Sequence, residues 1–342
     1  MQIRASDIAI DLGTTNTLVY VRGKGIVISE PTIVVVEARD RSTVRAVGDE
    51  ARYLLGRTKD SLRAVLPIKD GVISDYDAAE VMIRYFIRKA IGVSHLIGPR
   101  VLVSIPVSLP EVSRKALREA VQVSGAKSVI FVEKPLAAAI GAGLPVYDPI
   151  GSMVVDVGGG TTDTAIVSLG GLVVAQSIQV GGEKMDQAII NYLKKNSSML
   201  VGEHTAEELK KDLASAMPST AGNTVAHVRG FDLLSARVMD VEFTSAQAHD
   251  AIKEPCMAIL ASIRWVLERT PPELSADILR SGIHLTGGTA QLLGLDQLIT
   301  TQLGIPAQTV SEPGDATIMG MGYLVENSDL LSQVARSAVN QA

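Results

Sequence analysis

The chain has 342 residues, 46% hydrophobic, 20% charged and 4% aromatic, with a formal net charge of -5. That length exceeds one typical core and predicts two domains, while the composition excludes a disordered chain and requires a mainly aliphatic interior. The acidic balance argues against nucleic acid as the main partner, and the single cysteine, Cys256, excludes an intrachain disulfide and fits a reducing compartment.

Residues 8–10 read as a strand running into a tight turn at Asp11, Leu12 and Gly13, with 18–21 as the returning strand. After a turn at 23–25, residues 26–28 and 32–37 are further β-branched strands, so the chain opens as a meander. Residues 77–90 carry Val81, Ile83, Tyr85, Phe86 and Ile87 at helical spacing. A strand at 101–105, a helix at 110–123, a strand at 128–132 and an alanine-rich helix at 135–143 follow. The plan then restarts. Residues 152–156 form a strand ending in glycines, 164–168 and 172–178 two more strands, and 183–195 and 205–214 helices. Strands are expected within 233–241, and a long helix over 245–268 with a break or kink at Pro255. A strand at 282–285, a helix at 291–303 and a weakly amphipathic tail at 328–342 complete the chain.

Each half thus begins with strand, Asp, glycine turn, threonines and strand. This duplication of a domain plan predicts two similar lobes facing each other across a cleft. The limits expected are 1–146 plus about 312–342 for the first, with a small insertion at about 32–76. The second takes 147–311, with an insertion at about 182–244. The N-terminal segment is too short and polar for a signal peptide, and no apolar run reaches the length of a membrane span. Scattered histidines and the absence of CxxC or HExxH patterns speak against a metal held by protein ligands alone.

DLGTTNT at 11–17 sets glycine and hydroxyl residues in a β-turn, where N–H and O–H donors converge as a nest for phosphate oxygens. DVGGGTTD at 156–163 repeats the device with three glycines that permit close backbone approach. Either turn alone is compatible with an ordinary hairpin; the pair points to a polyphosphate. Candidate ligands are Gly13, Thr14, Thr15 and Asn16, then Gly158, Gly159, Gly160, Thr161 and Thr162. Asp11 and Asp156 would repel a phosphate unless a cation stands between, which suits Mg²⁺ held through water. LTGGT at 285–289 offers a flat backbone at Gly287, Gly288 and Thr289 for a planar nucleoside, and Gly181 with Gly182 could admit a ligand similarly.

DLGTTNT, DVGGGTTD and LTGGTAQL, in this order, resemble the superfamily of actin, sugar kinases and heat-shock chaperone ATPases. More narrowly, KGIVISEPTIVVV, AVGDEA, LLGRT, PIKDGVISDYD, EKPLAAAIGAGLP, SLGGLVV and LERTPPELSADI resemble the MreB family of bacterial actin homologues, from about residue 8 to about residue 322. The resemblance implies an α/β actin-like fold of two related domains, each a mixed sheet flanked by helices, with ATP and Mg²⁺ in the cleft between them. It also implies weak ATPase activity coupled to self-assembly into paired protofilaments. These would lie on the inner face of the cytoplasmic membrane, with membrane-spanning shape and wall-synthesis proteins as partners. By resemblance Glu207 and Lys210 would lie near adenine and ribose, from a stretch, TAEELKKDLASA, that matches the family only in part.

Two departures stand out. Before the alanine-rich helix the family usually has Glu-Glu-Pro, the second acid helping to position the attacking water; here the residues are Glu133, Lys134 and Pro135. A protonated lysine has no lone pair to accept a proton. Slow hydrolysis is therefore expected, with Thr161 and Asp163 left to align the water, unless Lys134 merely lies beside the cleft and reaches solvent. Asp163 itself stands where the family commonly has Glu. The second departure concerns the membrane. Too few residues precede the first strand for an amphipathic anchor helix, so the expected contact moves to Leu96 and Ile97, with Arg84, Arg88, Lys89 and Arg100 nearby to favour anionic lipid. A chaperone-type ATPase and a small-molecule kinase are the alternatives. The first has no room for a peptide-binding domain after residue 322, and the second has no recognisable substrate pocket.

Overall fold

The computed structural model describes residues 7–38, 43–54, 61–92, 98–218, 220, 222–332 and 334. Ile8–Leu12 is buried at every position, as a central strand must be. Asn16–Val21 returns antiparallel beside it and Gly25–Pro31 turns back again, while Arg100–Ile105 and then Ser128–Glu133 add in parallel on the other side. The second sheet repeats this connectivity. Ser152–Val157 is wholly buried, Thr162–Ser168 and Gly171–Ile178 form the antiparallel wing, and Ile283–Thr286 and Ala307–Thr309 the parallel one. Parallel neighbours need crossover connections, and helices supply them: Tyr76–Ile91 and Glu111–Val123 lead into the two parallel strands of the first sheet. Two smaller three-stranded sheets stand apart, one centred on Val34–Glu37 and the other on Val225–Asp232. Mixed sheets flanked by helices in two domains are the α/β architecture expected.

Local chemistry explains where elements begin and where expectation failed. Asp75 caps Tyr76–Ile91 by accepting from the Ala78 amide at 3.1 Å. Thr244 and Gln247 form a capping box at the start of Ser245–Glu268. That helix runs unbroken through Pro255. The proline costs one backbone hydrogen bond, but Ile252, Cys256, Ile259, Leu260, Ile263 and Val266 on the same helix are all buried and outweigh it. Of the strands expected within 233–241, Arg237–Thr244 overlaps that range, whereas its partner Val225–Asp232 lies before it. Asp232 accepts from the amides of Leu234 and Ser235, at 3.1 and 3.0 Å, and fixes the hairpin turn there. The helix expected from 291 begins only at Leu295, because Gly288–Gln291 is a 3₁₀ turn and Gly294 takes a φ of 74°. Pro272–Ser281 and Ala316–Glu326 are helices that the periodicity did not single out.

Between the two large sheets lies a core shared by both. Ala9 and Leu102 from the first sheet, and Val154, Ala165 and Val167 from the second, close on two helices, Lys134–Gly141 and Ala316–Glu326. The tail contributes Leu331 and Val334 to the same cluster. The helices cross backbone to backbone. A Cβ on Gly141 would lie 1.8 Å from the Ala316 carbonyl oxygen, and one on Gly320 1.8 Å from that of Ala137. Only glycine permits this approach, and the first residue of the helix so positioned is Lys134.

Candidate functional site

Each large sheet presents its first hairpin turn to the other. Leu12 pairs with Thr17 and Val157 with Thr162, leaving 13–16 and 158–161 as the turns. A Cβ on Gly159 would lie 2.1 Å from Thr15 Oγ1, and one on Gly160 2.4 Å from Thr14 Oγ1. The glycines are thus what lets the two turns approach. Both turns have their carbonyls tied back. Thr32 donates its amide to the Thr15 oxygen at 2.9 Å and its hydroxyl to the Gly13 oxygen at 2.7 Å, with Thr17 2.9 Å behind it. The amides of Gly182 and Glu183, opening the helix Gly182–Ser197, donate to the oxygens of Gly158 and Gly159 at 3.0 and 2.9 Å. Carbonyls held this way let a turn offer its N–H groups to an anion. Asn16 is exposed, and the Thr15 hydroxyl reaches Glu183 at 3.5 Å. Thr162 is fully buried and donates its hydroxyl to the Val180 oxygen at 2.7 Å, so its side chain braces the turn.

Beneath the turns lie four buried charges. Asp11 accepts from Ser104, Asp156 from Thr286 at 3.0 Å, and Asp163 from the Val107 amide at 3.3 Å and the Thr161 hydroxyl at 3.1 Å. Lys134 Nζ stands 3.4 Å from Asp11 Oδ1, and the residue is only 8% exposed, so it points into the cleft and is largely shut off from solvent. Burial works to lower the Lys134 pKa, but the fields of Asp11, Asp156 and Asp163 outweigh it and hold the ammonium above its ordinary range. Burial likewise raises Asp163, and pushes Asp156 up to about 6 despite the attraction of Lys134.

The Asp156 shift makes a stability prediction. Its folded pKa lies above the ordinary 3.8, so the ionised carboxylate destabilises the empty fold above about pH 6, and protonation relieves this as pH falls from about 6 towards 4. Asp156→Asn keeps an acceptor for Thr286 and removes the charge. We expect it to stabilise the nucleotide-free protein at pH 7 by on the order of 1–3 kcal/mol. The gain should fade in melting curves recorded at progressively lower pH, and a constant gain at all pH values would contradict the assignment.

Among the described residues no three acid, histidine or cysteine side chains converge to hold an ion directly. Asp11 and Asp156 are hard oxygen donors on opposite lobes, a pair that fits hydrated Mg²⁺ held through water, with Lys134 sharing Asp11.

At the end where the nucleoside is expected, Gly287 takes a φ of 85° and a Cβ there would meet the Val157 oxygen at 2.3 Å, whereas Gly288 faces open space. Thr289 donates to the Gly158 oxygen at 2.8 Å. Gly182 sits between Thr289 Oγ1 and Lys210 Nζ, which a Cβ there would meet at 2.7 and 3.0 Å, so the three glycine motifs do converge. Lys210 is committed to the Gly182 oxygen at 3.0 Å and to Asp186 at 2.9 Å, and Glu207 pairs with Lys211 at 2.6 Å. Leu96 and Ile97 lie outside the described residues. Of the basic residues around them, Arg84, Lys89 and Arg100 are paired with Glu80, Glu30 and Asp7.

Sequence reading missed Thr32, Ser104 and Gly71. Gly71, in a turn at φ 76°, packs so that a Cβ would be 2.7 Å from Pro106 and 3.2 Å from the Thr161 methyl, across the cleft. Strand pairing brings in Thr32 and Ser104, and the turn of the hairpin at 68–73 brings in Gly71. Thr286 was visible inside LTGGT, but its bond to Asp156 was not.

Two lobes built on one duplicated plan, meeting through paired glycine–threonine turns with an aspartate under each, define a protein of the actin-type fold. The MreB/Mbl protein family matches residues 5–333, and the chain belongs to that family. It is 43% identical to the cell shape-determining protein Mbl of Bacillus subtilis over 328 residues, covering 96% of this chain and 98% of Mbl. It is also 43% identical to the cell shape-determining protein MreB of Escherichia coli over 331 residues, 95% of each. Among solved structures, MreB5 of Spiroplasma citri bound to ADP superposes with a TM-score of 0.90 at 31% identity, covering 97% of this chain and 99% of MreB5; its AMPPNP-bound form gives 0.90 at 30%.

Proposed function

We propose that this chain is a bacterial actin-like cytoskeletal protein that binds ATP with Mg²⁺ between its lobes and polymerises into filaments organising cell-wall synthesis and rod shape. The observation that carries the reading is the contact of Gly159 and Gly160 with Thr15 and Thr14, which makes one phosphate cradle out of two domains. Family membership and the ADP- and AMPPNP-bound forms of MreB5 support it. The lobes run over 1–146 with about 312–342, and over 147–311. Gly13–Asn16 and Gly158–Thr161 hold the phosphates, and Gly287, Gly288 and Thr289 flank the nucleoside. Lys210 lies at its edge beside Gly182, with Glu207 one turn away.

Asp11 and Asp156 would hold hydrated Mg²⁺, which would supply positive charge to the phosphates. The protein's own part is positional. Thr161 has its proton committed to Asp163, so its oxygen presents lone pairs to a water and orients it without removing its proton. Lys134 cannot act as a base while protonated, so hydrolysis is slow and filament assembly draws mainly on nucleotide binding. No helix among the described residues is long and apolar enough to cross a membrane. Attachment to the inner membrane face is therefore peripheral in this reading, through Leu96 and Ile97, with family-type shape and wall-synthesis partners. The acidic balance argues against nucleic acid as the main partner.

Sedimentation and electron microscopy on an anionic lipid monolayer test the proposal. We expect pelletable filaments with ATP and Mg²⁺ and few without nucleotide. A protein that stays monomeric at micromolar concentration under all these conditions, with or without lipid, would overturn it.

A further inference from the structure

The cleft already holds a cation of its own. Lys134 is 8% exposed with its ammonium 3.4 Å from Asp11 Oδ1, and Asp11, Asp156 and Asp163 around it are 8, 6 and 0% exposed. Asp11 and Lys134 belong to the first sheet and the helix that follows it, Asp156 and Asp163 to the second. Three buried carboxylates from two lobes are thus opposed by one ammonium. Buried charge persists only where it is compensated, and a polyphosphate seated over the two turns adds more negative charge at the same place.

The ammonium is also anchored at its base. Its helix is locked seven residues further on by the Gly141–Gly320 crossing, where neither backbone has room to shift towards the other. A divalent ion that uses Asp11 and Asp156 must share Asp11 with this ammonium and is repelled by it. The anchored charge, by contrast, is present at the phosphates whatever the concentration of free ion. It also sits at the first turn of its helix, whose dipole adds positive potential in the same direction.

We infer that Lys134 is a phosphate-contacting residue acting as a tethered cation, so that this cleft takes nucleoside triphosphates with only a weak requirement for divalent metal. The inference rests on the reading of the cleft as a nucleotide site.

The test is titration of the full chain with fluorescent ATP, in excess Mg²⁺ and in excess EDTA, for wild type, Lys134→Gln and Lys134→Arg. Removing the metal should weaken wild type and Lys134→Arg by no more than about tenfold, but Lys134→Gln by at least about a hundredfold. Melting curves establish that each variant is folded, and Lys134→Arg preserves the charge if the neutral variant is not. Tight binding in Mg²⁺ with equal metal dependence in wild type and Lys134→Gln would overturn the role of Lys134 alone. Absence of binding even in Mg²⁺ would overturn the nucleotide reading and the inference together.

Discussion

Lys134→Glu should accelerate phosphate release in Mg²⁺ and ATP by roughly 10²-fold, the lower end of what a positioned general base contributes. The geometry favours this substitution over others. Position 134 opens its helix inside the cleft, 8% exposed and within reach of Asp11, so a carboxylate there would be buried among Asp11, Asp156 and Asp163. Burial and three like charges raise a carboxyl pKa, which brings a base towards the neutral range where it is most effective. The same change reverses the compensation of the site. Four acids would then face the phosphates, and turnover should demand more Mg²⁺ than the wild type needs for binding. Single-turnover phosphate release across a Mg²⁺ series measures both. Rapid release by the wild type, unaltered by the substitution, would remove Lys134 from the account of hydrolysis.

Gly320→Ala should lower the stability of the folded protein by about 3 kcal/mol, even though alanine is the better helix former by about 1 kcal/mol. The steric effect decides the sign. The new Cβ would lie 1.8 Å from the Ala137 carbonyl oxygen and 2.8 Å from the Gly141 amide nitrogen, both backbone atoms of the facing helix. Neither can rotate away, so the helices must separate. That separation opens a core containing Ile318, Met321, Leu324 and Val325, all fully buried. Because the partner helix begins at Lys134, its displacement should also loosen the cleft. We expect a melting temperature lower by several degrees and weaker nucleotide binding, measured by calorimetry and titration. A variant as stable as wild type would mean that the crossing is looser than described.

The paired glycine–threonine turns were legible because their chemistry narrows the residue choice. Glycines that let two loops touch and threonines that brace them leave a pattern in the chain, and that pattern occurs twice. The duplicated sheets followed from the same repetition. Other features depend on partners distant in the chain. Nothing near Pro255 announces that a buried stripe from Ile252 to Val266 will carry its helix through unbroken. The hairpin at 233–236 was misplaced because its hydrophobic residues suggested strand, whereas the side-chain bonds of Asp232 decide the turn. The chain reading located Lys134 in the cleft by resemblance but left open whether it reached solvent. Only the approach of Asp11 and burial beneath both turns answer that.

The helix Ala316–Glu326 follows the whole second lobe in the chain, yet Ile318 and Met321 share a core with Ala9 and Leu102 of the first sheet. During synthesis that face of the first sheet emerges from the ribosome long before the helix that covers it. The first lobe therefore waits, partly uncovered, until the second has been made. Completion of the cleft, with the helix crossing that seats Lys134, becomes one of the last events in folding. A chain released early would lack the covering helix as well as the finished cleft.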